Sequence, residues 1–422
     1  MLKQLLGILA LSILLFTACE QKKTPVKEDP LSQLSEFTQR GGLPNTFYKI
    51  QNQRQVKIAY IGGSITQASN GWRDLTFSWF RLNFPQTAFY QINAAIGGTG
   101  SDLGVFRMER DVLQHEPDLI FIEFSVNDGG SREKVLAAME GIVRQVRKNN
   151  PKTDICFVYT AAEMHVRDLV EGKLRVSAAA SEELAAHYQI PTIHMGIEVA
   201  RLYQQGKLTL VADPEENANT IVFTRDKTHP LSESGHPIYG AVVAKYLEEM
   251  RSQPADVEYS LPDPYVDYQW EEAQMVEVSE TQLIGEWKEL PDENEIKKGV
   301  REFMPHVFQA SPGAVMKFRF DGSVLGFYDV IGPKVSVIEI TVDGEKQEKV
   351  RFDQWCNNYR KTSFFIKDLE PGLHSIEIRV LDKQLDKAEI LKKKNVTMDD
   401  PSRFNGKYWF PASILVVGKI IN

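Results

Sequence analysis

Residues 56–66 read VKIAYIGGSIT. An almost continuous apolar run of strand length, closed by two glycines and a serine, describes a strand buried on both faces that presents a turn at its carboxyl end. Working outward, the same texture recurs in AFYQIN (88–93), DLIFIEFS (118–125), DICFVYT (154–160) and PTIHM (191–195). Helical stretches lie between these runs. The clearest is 132–149, where Val135, Leu136, Met139, Ile142, Val143 and Val146 fall on one face at helical period. A last helix is expected near 237–251. Strands alternating with helices predict an α/β unit over 51–255, its parallel sheet covered on both faces.

Beyond residue 260 the texture changes. Short strand-like runs follow one another: VMKFRFDGS, VLGFYDV, VSVIEITVDGE, SFFIKDLEPGLHSIEIRVL and SILVVGKII. Asp321-Gly322, Asp343-Gly344 and Pro371-Gly372 are hairpin or turn chemistry. An all-β sandwich or jelly roll is expected over 265–422. The segment 252–265 (SQPADVEYSLPDPY), with its three prolines, reads as the linker. No internal repeat is visible.

The whole chain has 422 residues, 42% of them hydrophobic and 25% charged. That composition is globular, against disorder, collagen-like repetition or a polytopic membrane protein. The 49 basic and 57 acidic residues give a net charge of −8, mixed along the chain without long single-sign blocks. Nucleic-acid binding is therefore not expected. Three cysteines cannot build a disulfide framework, and without a Cys-x-x-Cys pair there is no zinc or redox motif.

The first nineteen residues, MLKQLLGILALSILLFTAC, stand apart from the fold. Lys3 precedes an apolar stretch from Leu5 to Phe16 that is short for a membrane span. Thr17 and Ala18 then lead into Cys19. The stretch resembles a bacterial lipoprotein signal. The resemblance implies that Cys19 is lipidated, becomes the mature N-terminus and holds the protein to a membrane of the cell envelope. Residues 20–50 are expected to be a polar tether.

Four segments carry the chemistry. Gly62-Gly63-Ser64-Ile65-Thr66, Asn93-Ala94-Ala95-Ile96-Gly97-Gly98 and Ser125-Val126-Asn127-Asp128 each follow a strand. Asp226-Lys227-Thr228-His229-Pro230 lies shortly before the last helix. In an open α/β sheet the carboxyl ends of the strands share one crevice, so the topology brings the first three together. Each alone has an ordinary reading: a turn, a loop with a helix cap, a chance Asp-x-x-His. Their joint occurrence, in order, is what distinguishes them.

In that order they resemble the SGNH (GDSL-type) hydrolase superfamily, over roughly residues 54–250. The resemblance implies a three-layer, flavodoxin-like fold, with Ser64 as nucleophile and Asp226 and His229 completing a triad. It also implies an oxyanion hole made by Ser64, Gly98 and Asn127. Gly63 stands where that family usually carries an aspartate. The physical reading agrees. A serine hydroxyl is a poor nucleophile until a base takes its proton, which His229 can do. Asp226, three residues earlier, can fix the imidazole tautomer. The Ser64 and Gly98 N–H groups and the Asn127 amide can stabilise a tetrahedral oxyanion.

Competing motifs fail on detail. Gly98-Thr99-Gly100-Ser101-Asp102-Leu103-Gly104 misses a dinucleotide fingerprint because its last glycine falls one residue late. No P-loop lysine follows Gly62-Gly63, and no Gly-x-Ser-x-Gly elbow is present. Without a His-Glu-x-x-His pattern no catalytic metal is indicated, and no cofactor is expected. His236 reads as a helix-start residue rather than a second base. Trp72, Arg73, Glu163 and His165 are candidates for the substrate crevice. Trp355, Tyr359 and Trp409 could stack on sugars or pack in the core.

Exported enzymes of this kind joined to β-sandwich modules resemble carbohydrate esterases. The resemblance implies a serine esterase that removes O-acyl groups, O-acetyl in particular, from polysaccharide or oligosaccharide through an acyl-enzyme. A lipase, thioesterase or arylesterase of the same superfamily is the alternative enzyme. A non-catalytic glycan-binding lipoprotein is the alternative of another class, against which intact Ser64, Asp226 and His229 argue.

Overall fold

The computed structural model describes residues 29–53, 55–216, 219–366, 369–398 and 400–421. The signal segment and Cys19 lie outside them. The α/β unit contains β1 (Phe37–Thr38), β2 (Gln55–Gly62), β3 (Ala88–Asn93), β4 (Leu119–Glu123), β5 (Asp154–Tyr159) and β6 (Thr192–His194), in the sheet order β1-β6-β5-β4-β2-β3. The five strands expected from the sequence, β2 to β6, are all present and pair in parallel. Every residue of β4 and β5 is buried, as central strands covered on both faces require. The helix Arg132–Asn149 begins where Ser131 accepts the Lys134 N–H, and its apolar face packs on the sheet. A second parallel pair, β7 (Leu208–Val211) and β8 (Ile221–Thr224), leads into the Asp226 loop and the helix Gly235–Met250.

The expected tether is shorter than the sequence suggested. Residues 29–50 are folded onto the α/β unit: β1 pairs antiparallel with β6, and a helix runs over Pro44–Asn52. Leu43, Phe47 and Ile50 are buried there, and the Thr46 N–H reaches the Asp154 carboxylate at 2.7 Å. Three apolar residues at helical spacing outweigh the polar composition around them. The linker is likewise fastened down. Val257 N–H donates to Asn45 Oδ1 at 2.7 Å, Tyr259 OH to Asp154 Oδ1 at 2.7 Å, and Val266 N–H to Glu140 Oε2 at 2.9 Å.

The second unit is antiparallel. Its strands are β9 (Ala273–Glu277), β10 (Gln282–Ile284), β11 (Trp287–Glu289), β12 (Phe308–Ala310), β13 (Val315–Ile331), β14 (Val337–Val342), β15 (Glu345–Val350), β16 (Arg360–Ile366), β17 (Gly372–Val380) and β18 (Phe410–Ile421). Asp343 and Gly344, both at positive φ, close the β14–β15 hairpin as expected. Asp321-Gly322 does not turn the chain. It lies inside the single 17-residue strand β13, at a register shift against β18. Gly322 and Gly418 meet there so closely that a Cβ on the first would sit 2.1 Å from the Val417 carbonyl oxygen. The backbone contact bends the strand.

The bend divides β13 between two layers. Residues 315–322 pair with β17, and residues 325–331 pair with β16. Phe318, Phe320, Leu325, Phe327, Ile376 and Ile414 fill the space between the layers. The alternation continues on the other side. Tyr328, Val330, Leu415 and Val417 join one core with Val105, Phe106, Leu136 and Met139 of the α/β unit. The second half of β13 is thus apolar on both faces, and the two units share an interior. Trp409 belongs to that packing rather than to a sugar platform: it is fully buried, and its Nε1 donates to Asp329 Oδ2 at 2.9 Å. Tyr359 packs against Phe410, whereas Trp355 is exposed beneath the Lys394 ammonium.

Candidate active site

β2 ends at Gly62, and Gly63 caps a one-turn helix, Ser64–Gln67. Ser64 therefore stands at the first helical position, above the carboxyl edge of the sheet. Its Oγ lies 2.8 Å from His229 Nε2, and His229 Nδ1 lies 2.6 Å from Asp226 Oδ2. Asp226 Oδ1 accepts the Thr224 hydroxyl at 3.0 Å, Thr228 N–H at 2.9 Å and His229 N–H at 2.8 Å. Burial raises the Asp226 pKa, but these donors, the His229 ring first, outweigh it and hold the carboxyl well below its usual range. An ionised Asp226 accepts a hydrogen bond from Nδ1–H, which leaves the Nε2 lone pair facing Ser64 Oγ. Lys227, at φ 71°, makes the tight turn that lets one short loop place both groups.

The second segment is drawn in by Ile96 N–H, which donates to the Gly62 carbonyl at 3.0 Å. Gly97 N–H is taken by Gln67 Oε1 at 2.8 Å. Gly98 has φ +74° and open space where a Cβ would be, so it is the glycine of this pair suited to approach a ligand. The Asn127 side chain lies against the Gly63 α-carbon. A Cβ built on Gly63 would come within 1.9 Å of Asn127 Oδ1. A side chain at 63, the position of the departure noted in the sequence, would require the Asn127 amide to shift from where it now lies beside the Ser64 turn. Ser64, His229, Asp226 and Asn127 are gathered at one end of the sheet, with the glycine loop beside them.

The substrate candidates fare differently. Trp72 is fully buried against Tyr60 and Phe121, and its backbone N–H donates to His236 Nδ1 at 3.1 Å. His236, at the start of its helix as expected, is pushed down to about 4 by burial and the nearby His229, and is a neutral acceptor. Arg73 is buried too, and its Nε donates to the Thr66 carbonyl at 3.0 Å. Arg73 braces the Ser64–Gln67 turn and Trp72 packs in the core, so neither lines a crevice. The reason is local: Gly71 starts a new helix whose first residues point into the sheet. Glu163 reaches the site through its backbone, with its N–H donating to the Lys227 carbonyl at 2.8 Å, while its side chain pairs with Arg167. His165 is buried, accepts Ala162 N–H at 3.1 Å and touches Arg175. Burial and then the Arg175 charge push it down to about 4. Among the described residues no group of three His, Cys, Asp or Glu side chains is gathered as a metal site would need.

Two acids escaped the sequence reading. Glu123, at the end of β4, is fully buried and accepts from the Thr66, Ser125 and Thr160 hydroxyls. Asp128, next to Asn127, accepts Ser101 N–H at 2.7 Å, and burial pushes it up to about 7. The signal for Glu123 was present in DLIFIEFS, where a lone acid interrupts an apolar run.

Comparison with known proteins agrees with this geometry. Residues 60–236 match the GDSL-like Lipase/Acylhydrolase family. No functionally curated protein matches the chain. Among solved structures, it is similar to a two-domain esterase (CEX) active on acetylated mannans, at 22% identity and a TM-score of 0.70, covering 91% of this chain and 98% of that one. The same esterase co-crystallised with mannopentaose matches at 22% identity and a TM-score of 0.67, covering 89% of this chain and 95% of that one. At this identity the likeness is one of fold, and it extends through both units. Residues 60–236, with the Ser64 turn at one end of the match and His236 at the other, form a domain of the GDSL-like lipase/acylhydrolase family.

Proposed function

We propose that the protein is a serine esterase that removes O-acetyl groups from polysaccharide or oligosaccharide. The observation that carries the reading is the unbroken relay from Ser64 Oγ to His229 Nε2 at 2.8 Å and from His229 Nδ1 to Asp226 at 2.6 Å. Ser64 Oγ attacks the ester carbonyl carbon while its proton passes to His229 Nε2. The oxyanion is met by Ser64 N–H, Gly98 N–H and the Asn127 amide. Collapse breaks the ester bond, and His229 returns the proton to the departing sugar hydroxyl. Water, deprotonated by the same imidazole, then attacks the acyl-enzyme and releases acetate and Ser64.

The carbohydrate class is supported by the two-unit fold, shared with an esterase active on acetylated mannans. Acetylated mannan is accordingly the first polymer to try. The expected outcome is acetate release from it or another acetylated polysaccharide, and hydrolysis of p-nitrophenyl acetate in preference to the octanoate. Octanoate preference would move the protein to the lipases. Folded protein without turnover, matched by Ser64→Ala, would remove the enzymatic reading. The lipoprotein-like signal supports a location in the bacterial envelope through a lipid on Cys19, and a Cys19→Ala variant is expected to leave the membrane fraction.

A further inference from the structure

Glu123 occupies an unusual position. It lies directly across the β2–β4 ladder from Gly62, two residues before Ser64. Its Oε2 accepts the Thr66 hydroxyl at 3.0 Å, two residues after Ser64. Its Oε1 accepts Ser125 N–H at 3.1 Å and the Ser125 hydroxyl at 3.0 Å, two residues before Asn127. The same oxygen accepts the Thr160 hydroxyl at 2.7 Å, at the end of β5. The two strands are packed so closely at the turn that a Cβ on Gly62 would meet the Glu123 backbone carbonyl oxygen at 2.5 Å and Thr66 Oγ1 at 2.7 Å. Thr160 in turn precedes Ala161, whose N–H and carbonyl are both bonded by the Tyr239 hydroxyl. The helix that follows donates Glu163 N–H to the Lys227 carbonyl, within the loop that carries Asp226 and His229.

We propose that Glu123 is a positioning residue of the acyl-transfer reaction: one buried carboxylate fixes the nucleophile turn to the loop of the oxyanion donor Asn127. The inference rests on the serine-esterase reading above. A carboxylate is suited to the task because, when ionised, it only accepts, and its two oxygens offer about four lone-pair sites to donors converging from different segments. It needs no cationic partner because polar donors surround it: the Thr66 and Thr160 hydroxyls, the Ser125 N–H, and the Ser125 hydroxyl, whose one proton it shares with the Thr160 carbonyl at 2.9 Å. Burial raises its pKa, in line with the absence of a counter-charge among those donors. Glu123 touches no reacting atom. Its effect is to keep Ser64 and Asn127 at the separation that the tetrahedral intermediate requires, where a displacement of about 1 Å can cost about 10²-fold in rate.

The test uses the full chain and three variants, Glu123→Gln, Thr66→Val and Ser125→Ala, with p-nitrophenyl acetate as substrate and a serine-directed phosphonate as probe of Ser64. Gln keeps the shape and leaves one acceptor oxygen. Thr66→Val cuts the bond on the nucleophile side alone, and Ser125→Ala removes a hydroxyl on the oxyanion side. Each variant is expected to lose about 10- to 100-fold in kcat with KM within about twofold, and to slow phosphonate labelling in parallel. Because Thr66 and Glu123 act through one bond, the double variant should lose no more than the worse single one. Variants that lower the melting temperature but keep wild-type kcat per folded molecule would reduce Glu123 to a structural residue and overturn the proposal. Wild-type protein that neither turns over nor labels at Ser64 would overturn the esterase reading, and this proposal with it.

Discussion

At Gly63 there is no Cβ to hold the Asn127 side chain away from the Ser64 turn. The Asn127 side chain occupies the space a Cβ would need, within 1.9 Å. Gly63→Ala should therefore displace Asn127 or the Ser64 turn and lower kcat by about 10²-fold, comparable to the loss of one oxyanion donor. The measurement is kcat for p-nitrophenyl acetate beside Asn127→Ala, and the two losses should not add. Asp128, the neighbour, gives a pH signature. Burial raises its pKa to about 7 in the folded chain, against 3.8 in the open one. The folded state thus holds this proton more tightly, so the group's contribution to stability is fully present below the lower value and is lost as pH rises through about 7. Asp128→Asn keeps an acceptor for Ser101 N–H and removes the titration. Chemical denaturation at pH 5 and pH 8 should show a smaller fall in stability for the variant than for the wild type.

At the scale of elements, the long strand β13 shows what local sequence could and could not reveal. The strands of the α/β unit were legible because burial on both faces writes a continuous apolar run, and the hairpin at Asp343-Gly344 because two positive φ angles need those residues. Asp321-Gly322 carries the same dipeptide and does not turn. Its glycine serves the close crossing with Gly418, a contact between positions almost a hundred residues apart that no local window contains. The helix Pro44–Asn52 was hidden for a different reason: its apolar stripe is only a few residues wide, within polar surroundings. The contact between Asp226 and His229 was legible as spacing, the two lying three residues apart. Arg73 and Trp72 were misplaced because direction into or out of a sheet depends on where a helix begins. The buried pair that ties β13 to the segment after β15 carries its own prediction. Arg351 donates to Asp329 at 2.8 and 2.6 Å, with both side chains removed from solvent. Arg351→Ala leaves an uncompensated charge and should cost about 3–5 kcal/mol in denaturant unfolding.

At the scale of the molecule, the two units are joined by an interior and not by a string. Tyr328, Val330, Leu415 and Val417 leave the sandwich on one side and enter the core of the α/β unit on the other. The linker residues Tyr259 and Tyr265 are hydrogen-bonded along the way. Full-length protein should then unfold in one transition, with fluorescence and far-UV dichroism coincident. A fragment ending at residue 255 should bind a hydrophobic dye and aggregate, because Val105, Phe106 and Met139 lose their cover. Two separate transitions, or a soluble fragment with wild-type kcat, would show the units to be independent.

The place of β18 in the sheet bears on how the chain is made. This strand lies between β13 and β9 and supplies Leu415 and Val417 to the shared core, yet it leaves the ribosome after every other element described. Synthesis at about 5–20 residues per second puts about ten to thirty seconds between completion of the catalytic unit and arrival of that strand. Until it arrives, Val105, Phe106 and Met139 lack part of their cover, so the shared core closes only with the last strand described. Its vulnerable moment falls before the chain is whole, and before any substrate is met.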